Sequence, residues 1–204
     1  MATIGVLALQ GDFLEHASSL RRIGAEPREV RTAEQLRALN GLIIPGGEST
    51  TFCRLMEDFR LYGPLRTFVQ SGIPTWGTCA GMIVLARHAT DLHFPTLEAI
   101  DIEVDRNGYG RQVDSFEADI DIPALGEDPF HAIFIRAPVV TSVGDRAQVL
   151  ASVHHKQSGR TTPVAIRQGI LLATSFHPEL TDDTRFHNYF LDIVREHGRP
   201  CAAK

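Results

Sequence analysis

The sequence predicts an open α/β sheet, mainly parallel, with helices on both faces and an antiparallel extension. Three observations carry that prediction. Through the first half of the chain, short apolar runs alternate with stretches whose apolar residues recur at helical spacing, the pattern of parallel strands joined by crossover helices. Those runs end in glycine or proline punctuation, as at Pro45-Gly46-Gly47. In the second half Ile100, Ile102 and Val104 alternate with acids, as in a sheet with one wet face.

The elements follow in order. Residues 3–9 open as a buried strand, and Phe13, Ala17, Leu20 and Ile23 mark a helix behind it. A second strand is expected at 27–30, a short helix capped by Thr32 at 33–39, and a third strand at 41–44. Residues 52–59 and 65–69 read as helices, and Pro74 leads a short extended run that breaks at Gly77 and restarts as an apolar helix at Ala80. Further strands are expected at 100–104, 132–135, 149–153, 164–166 and 170–174, before a closing helix at 184–196. No repeat, low-complexity run or linker intervenes, so residues 1–198 are expected to form a single domain with a frayed tail at 199–204.

Composition narrows the function. With 204 residues, 43% of them hydrophobic and 22% charged, and a net charge of −5, the chain reads as a soluble globular protein. Acidic residues (25) outnumber basic ones (20) and no basic run occurs, which argues against a nucleic-acid partner. The apolar start lacks a basic flank and a cleavage site, and nothing approaches a membrane span, so a cytoplasmic address and no membrane partner are expected. Cysteines at 53, 79 and 201 are an odd set without metal-like pairing; reduced thiols and no metal are expected. Cys53 reads as a packed helix residue.

Cys79 is different. It stands in Gly77-Thr78-Cys79-Ala80-Gly81, where a strand turns sharply into a helix and the flanking glycines keep bulk away, so the sulfur is expected to stand exposed at the helix N-terminus. An ordinary thiol with pKa near 8.5 is only a few per cent thiolate at neutral pH, and closing that gap takes about 2.7 kcal/mol. A helix end supplies only about 0.3–1 kcal/mol. The chemistry therefore demands a histidine.

Of nine histidines, His177 has the setting, in Thr174-Ser175-Phe176-His177-Pro178-Glu179 directly after an apolar run. Proline keeps the residue before it out of the helical region. In extended chain, residues two apart share a face, which lets the Glu179 carboxylate hold one imidazole nitrogen while the other meets the thiol. Cys79, His177 and Glu179 thus form a candidate nucleophile, base and orienter.

Gly46-Gly47-Glu48-Ser49 is the second constellation. Its glycines can turn backbone N–H groups toward an anion, so the Gly47 and Ala80 amides are candidates for holding an oxyanion; the alternative is a tight turn with Ser49 as helix cap. Arg136 ends an apolar strand and calls for an anion, either Glu48 or another acid, or a substrate carboxylate. Arg106 lies in a polar loop. His131, His154 and His155 read as surface residues.

Together the elbow and the Phe-His-Pro-Glu run resemble the class I, triad-type glutamine amidotransferases. One branch, the glutaminase subunit of two-component pyridoxal 5′-phosphate synthases, is similar over nearly the whole chain: Leu9-Gln-Gly-Asp12 with Glu15-His16, Pro45-Gly-Gly-Glu-Ser-Thr-Thr51, Arg106-Asn with Gly110-Arg-Gln112, Ser115-Phe-Glu117 and Phe134-Ile-Arg-Ala-Pro138. The resemblance implies a flavodoxin-like sheet and glutamine contacts from Gly47, Glu48, Ser49, Arg106, Ile135 and Arg136. It implies a partner-facing segment at Gln10-Gly11, no cofactor, and a synthase subunit in a large hetero-oligomer that receives ammonia. Glu98 departs from the pattern, which expects glycine there. Two rivals stand beside this reading: another cysteine hydrolase or redox protein of related fold, and a non-catalytic subunit of the synthase.

Overall fold

The computed structural model describes residues 1–108, 115–155 and 159–197. The expected tail, Cys201 and the motif at 110–112 lie outside the described residues. Thr3–Leu7 (β1) is buried along its length, as a strand covered on both faces must be. The chain leaves it through α1 (Phe13–Arg22) and returns parallel as β2 (Glu26–Val30). A 3-10 turn at Ala33–Leu36, closed by the Thr32 and Gln35 capping box, stands where a longer helix was expected. Arg37, extended at φ −70° and ψ 145°, ends the turn, and Ala38 at φ 60° carries the chain further from helical geometry.

Next come β3 (Gly41–Ile44), α2 (Ser49–Asp58), α3 (Tyr62–Gln70), β4 (Thr75–Thr78) and α4 (Ala80–Leu85). The second half contains β5 (Ala86–Thr90), β6 (Ile100–Asp105), β7 (Phe116–Ile120), β8 (Phe130–Phe134), β9 (Val139–Val143), β10 (Gln148–His155), β11 (Arg160–Gln168) and β12 (Leu171–Thr174), closed by α5 (Arg185–His197). The main sheet runs β10-β11-β12-β4-β3-β1-β2. From β12 to β2 every pairing is parallel, and β11 and β10 add the antiparallel extension. The strands at 100–105 and 130–134 do not join it. They lie in a three-stranded sheet, β5-β6-β9, and a hairpin, β7-β8.

Alternation along the central strands builds two cores. Leu42 and Ile44 face α2, α3 and α4 through Phe52, Met56, Leu65 and Met82. Ile43 and Trp76 face α1 and α5 through Leu20, Phe186 and Phe190. Trp76 stacks on Phe186 with ring centroids 6.0 Å apart, and burying each such side chain contributes about 1.5–3 kcal/mol. Helices on both faces of a parallel sheet are the physical consequence. No helix among the described residues is long and apolar enough to cross a membrane.

One topological fact positions the site. Strands β12, β4 and β3 are adjacent and parallel, so their carboxyl ends deliver His177, Cys79 and the Gly46-Gly47 loop to one edge of the sheet, where open α/β folds gather ligands.

Candidate active site

Cys79 stands at φ 46° and ψ −102°, a conformation that costs a non-glycine residue about 1–3 kcal/mol. Its surroundings hold it there. The Cys79 N–H donates to Thr174 O at 2.8 Å, and its carbonyl accepts from Ile83 N at 3.3 Å. A methyl group on Gly81 would collide with Ile44 O, and one on Gly77 would collide with the Gly81 backbone. The glycines thus let β4, α4 and β3 touch backbone to backbone. The expectation of an exposed sulfur needs correction: Cys79 is only 5% exposed. It lies at the wall of a cleft of about 310 Å³, with Sγ 3.9 Å from Ile135 O.

His177 is buried just beyond β12, its N–H donating to Ile133 O at 2.9 Å. Pro178 starts a 3-10 turn, Pro178–Leu180, and Glu179 reaches back from that turn rather than along extended chain as the sequence suggested. The outcome for the ring is the same. His177 Nδ1 lies 2.7 Å from Glu179 Oε1 and 3.2 Å from Asp12 Oδ2. Burial opposes a charge on the ring, but hydrogen bonds to Asp12, Cys79 and Glu179 outweigh it and push His177 up to about 12. Burial likewise raises the Glu179 carboxyl, with His177 opposing. As a pair they hold a proton on the ring.

Asp12, His177 and Glu179 bring potential ligand atoms within 4.8 Å of one another. Both carboxylates face the same nitrogen, so the cluster is accounted for by the hydrogen bonds of one imidazole.

Gly46 lacks the side chain that would strike the His177 ring, and Gly47 takes φ 147°, a value only glycine adopts freely. The cap of α2 is Glu48, not Ser49. Its carboxylate accepts from Thr50 N at 2.9 Å, Thr51 N at 2.7 Å and Thr51 Oγ1 at 2.7 Å. Burial would raise this carboxyl, yet those bonds bring it down to about 2. Gln10 Oε1 accepts from Glu48 N at 3.0 Å, and Gly11, at φ 89°, packs on Gly46 O.

Arg106 braces the same loop. Its Nε donates to Ser49 Oγ at 2.9 Å, Nη2 to Thr50 Oγ1 at 2.8 Å and Nη1 to Asp91 O at 2.8 Å, with Glu48 Oε1 3.5 Å away. Arg136 departs from the expectation of a costly buried charge. It is exposed, makes no ion pair among the described residues, and leaves Glu48 to Arg106. Water solvates it, so no protein anion is required.

The cleft is lined by Gly47, Glu48, Ser49, Cys79, Arg106, Ile135, Arg136 and His177, together with Gln10, Asp12, Ile83 and Asn107. Glu179, Ala80 and Gly11 are not among the lining residues; Glu179 meets the cleft through its contact with His177. Sequence reasoning gave no role to Asp12, His16 or His187. A signal existed for the histidines: each sits on the apolar stripe of its helix, His16 three residues after Phe13 and His187 three before Phe190. His131 is exposed between Asp119 and Glu117, 2.8 and 3.1 Å away, and His154 is exposed as well.

The profile of the SNO glutamine amidotransferase family matches residues 6–196. A pyridoxal 5′-phosphate synthase subunit PdxT from Frankia alni is 53% identical over 197 residues, covering 96% of each chain. The protein of the same name from Moorella thermoacetica is 51% identical over 94% of this chain and 98% of its own. Among solved structures, a glutamine amidotransferase superposes with a TM-score of 0.85 at 45% identity, over 94% of this chain and 98% of that one. PurLQS from Thermotoga maritima, at 11% identity and TM-score 0.67 over 94% of this chain and 97% of that one, shares the fold. On the match along residues 6–196 and on relatives above half identity, this chain belongs to the SNO glutamine amidotransferase family.

Proposed function

We propose that the chain hydrolyses L-glutamine to L-glutamate and ammonia, with Cys79 as nucleophile, His177 as acid and then base, and Glu179 as orienter of the ring. The observation that carries this is the meeting of Cys79 and His177 in one cleft whose lining also holds Arg136, a cation without an ion-pair partner among the described residues. With its proton already on His177, Cys79 attacks the side-chain amide carbon of glutamine as a thiolate. The Gly47 and Ala80 amides hold the oxyanion; the Ala80 N–H lies in the first turn of α4, where helices leave donors without intrahelical acceptors. As the C–N bond breaks, His177 returns the proton to the departing ammonia. Water then attacks the thioester with His177 as base, releasing glutamate and regenerating the thiolate.

Arg136 suits the α-carboxylate of glutamine, with Ile135 beside it, while Glu48, Ser49 and Arg106 complete the lining. Sequence-related proteins from Frankia alni and Moorella thermoacetica carry the name of a pyridoxal 5′-phosphate synthase subunit. The ammonia is accordingly destined for a synthase subunit, in a hetero-oligomer in the cytoplasm. Contact at Gln10-Gly11 would reach the oxyanion loop directly, because Gln10 bonds Glu48 N and Gly11 rests on Gly46.

Glutamate release is measured with and without the synthase subunit, for wild type and Cys79→Ala. The expected result is stimulation when the synthase is present, with loss of at least about a thousandfold in the variant. Turnover by Cys79→Ala at the wild-type rate overturns the nucleophile assignment, and equal rates with and without the synthase overturn the coupling.

A further inference from the structure

Behind the Glu179 carboxylate lies a row of buried polar groups that the reaction above leaves unused. His16 from α1 and His187 from α5 are each 0% exposed. His16 Nδ1 and His187 Nε2 are 3.0 Å apart. On its other side, His16 Nε2 stands 3.2 Å from Thr78 Oγ1 and 3.3 Å from Glu179 Oε2. That oxygen is buried and has no hydrogen bond of good geometry, whereas Oε1 is taken by His177. A line of close contacts therefore runs from α5 through α1 to the imidazole beside Cys79.

Proton positions along this line follow from counting donors. Suppose His16 carried its proton on Nδ1. Its Nε2 lone pair would then face a carboxylate oxygen, and His187 would have to place its own proton on Nδ1, a buried atom with no partner. That arrangement contains one repulsion and one orphaned donor. In the other arrangement His187 donates from Nε2 to His16 Nδ1, and His16 directs its Nε2 proton between Thr78 Oγ1 and Glu179 Oε2. Only an acceptor lone pair on His187 is left unmet, so this tautomer wins.

Neither ring is charged. Burial lowers His16, and His187 and His177 lower it further; burial and then Arg22 bring His187 down to about 3. Besides these groups, Glu179 faces His16 directly. Trp76 meets both rings edge-on, with centroids 5.5 Å from His16 and 5.1 Å from His187, which excludes water from the row.

We propose that His16, held as its Nε2–H tautomer by His187, is a positioning residue that anchors the second oxygen of Glu179 and thereby fixes the orientation of His177 toward Cys79. This rests on the triad reading above. A carboxylate held by one oxygen can rock about its terminal bond and carry the imidazole with it; a second anchor locks its plane. Groups of this kind, one step removed from the reacting atoms, commonly change reactivity tenfold or more.

Two experiments test it. The first needs no mutation: imidazole ¹⁵N shifts of the full chain report tautomers directly. His16 and His187 are both expected neutral with the proton on Nε2 from about pH 5.5 to 8.5, well above where buried neutral rings titrate. A His16 proton on Nδ1, or a charged His16 in that range, overturns the proposal.

The second follows alkylation of Cys79 by chloroacetamide against pH, read at the Cys79 peptide by mass spectrometry. His16→Met is expected to slow the neutral-pH rate about tenfold, with the deficit closing in alkali where any thiol ionises unaided. His16→Gln, whose amide nitrogen replaces Nε2, restores the rate to within about threefold. A folded His16→Met with the wild-type profile overturns the proposal. Should that variant not fold, His187→Phe frees His16 to change tautomer and is expected to show the same deficit; an unchanged profile there counts equally against it. Wild-type Cys79 that alkylates no faster than a simple thiol overturns the triad reading, and this proposal with it. Fast wild-type alkylation with unaltered His16 and His187 variants removes this proposal alone.

Discussion

Cys79 and Glu98 both occupy left-handed backbone, at φ 46° and 54°, yet for different reasons. At Cys79 the strain presents the sulfur to the cleft, so removing it trades function for stability. Cys79→Gly is expected to unfold at a higher urea midpoint than Cys79→Ala, by about 1 kcal/mol in stability, because only alanine retains the steric penalty. At Glu98 the strain serves nothing in the site. The side chain is exposed and its contact with Arg66, 3.5 Å away, is between largely solvated groups, worth little. Glu98→Gly is expected to raise stability by about 0.5–1 kcal/mol without changing glutamine turnover; a lower melting temperature would contradict this. The sequence pattern places glycine where Glu98 stands, and the positive φ supplies the physical reason. Cys79, His177 and Glu179 were legible because each sits in a short local pattern whose geometry is dictated by adjacent glycine or proline. The row formed by His16, Thr78, Glu179 and His187 was not, since its members come from four elements and meet only through tertiary packing. Arg136 was found through an argument about burial that the structure removes; its exposure leaves it to solvent and to whatever enters the cleft.

At the scale of elements, the start of α2 couples structure to site. Glu48 caps the helix with three hydrogen bonds and takes the Arg106 guanidinium alongside, so a single carboxylate orders the loop that carries Gly47. Glu48→Ala is expected to cost about 1 kcal/mol, the usual loss for a helix cap, and to raise KM for glutamine as the loop loosens. The acid limb carries a sign. Since Glu48 titrates near 2 when folded against 4.5 for the ordinary side chain, its contribution is present above pH 4.5 and is lost as pH falls toward 2. The variant should therefore show a flatter loss of stability over that window in acid-denaturation curves. Elements with a clear change of pattern at their ends were legible: β3, β4 and β12 run directly into Pro45, Cys79 and Ser175 where the sheet ends. Three strands were not. β5 continues from α4 without a break, Leu85 running straight into Ala86, so no turn residue announces a change of period. β7 and β9 pair only within small sheets outside the main one, where short length and mixed polarity weaken any alternation. The helix expected at 33–39 shrank to one 3-10 turn because the chain turns extended at Arg37 and then takes a positive φ at Ala38, which propensity does not foresee.

For the molecule as a whole, the buried histidines set opposing slopes on stability against pH. His16 and His187 are neutral inside the fold, with folded values below the ordinary 6.5. Below pH 6.5 the unfolded chain takes up a proton at each while the folded chain does not, so stability falls as pH drops. For His187, held at about 3, the loss between pH 6.5 and 5 comes to about 2 kcal/mol. His177 works the other way: its folded value near 12 exceeds 6.5, so its contribution is complete below pH 6.5 and declines as pH rises toward 12. Glu179, raised by burial, shares that sign. Two rings oppose acid, while one ring and one carboxyl oppose base, so stability should pass through a maximum near pH 6.5. Urea midpoints taken across pH 5 to 8 check this, and His187→Phe should flatten the acid limb by about 2 kcal/mol at pH 5 relative to pH 6.5. A stability that stays level or climbs from pH 6.5 to 5 would mean that the two rings are not neutral in the fold. The tautomer that His16 presents to Glu179 would then be lost, which ties the acid limb of the whole molecule to one contact behind its active site.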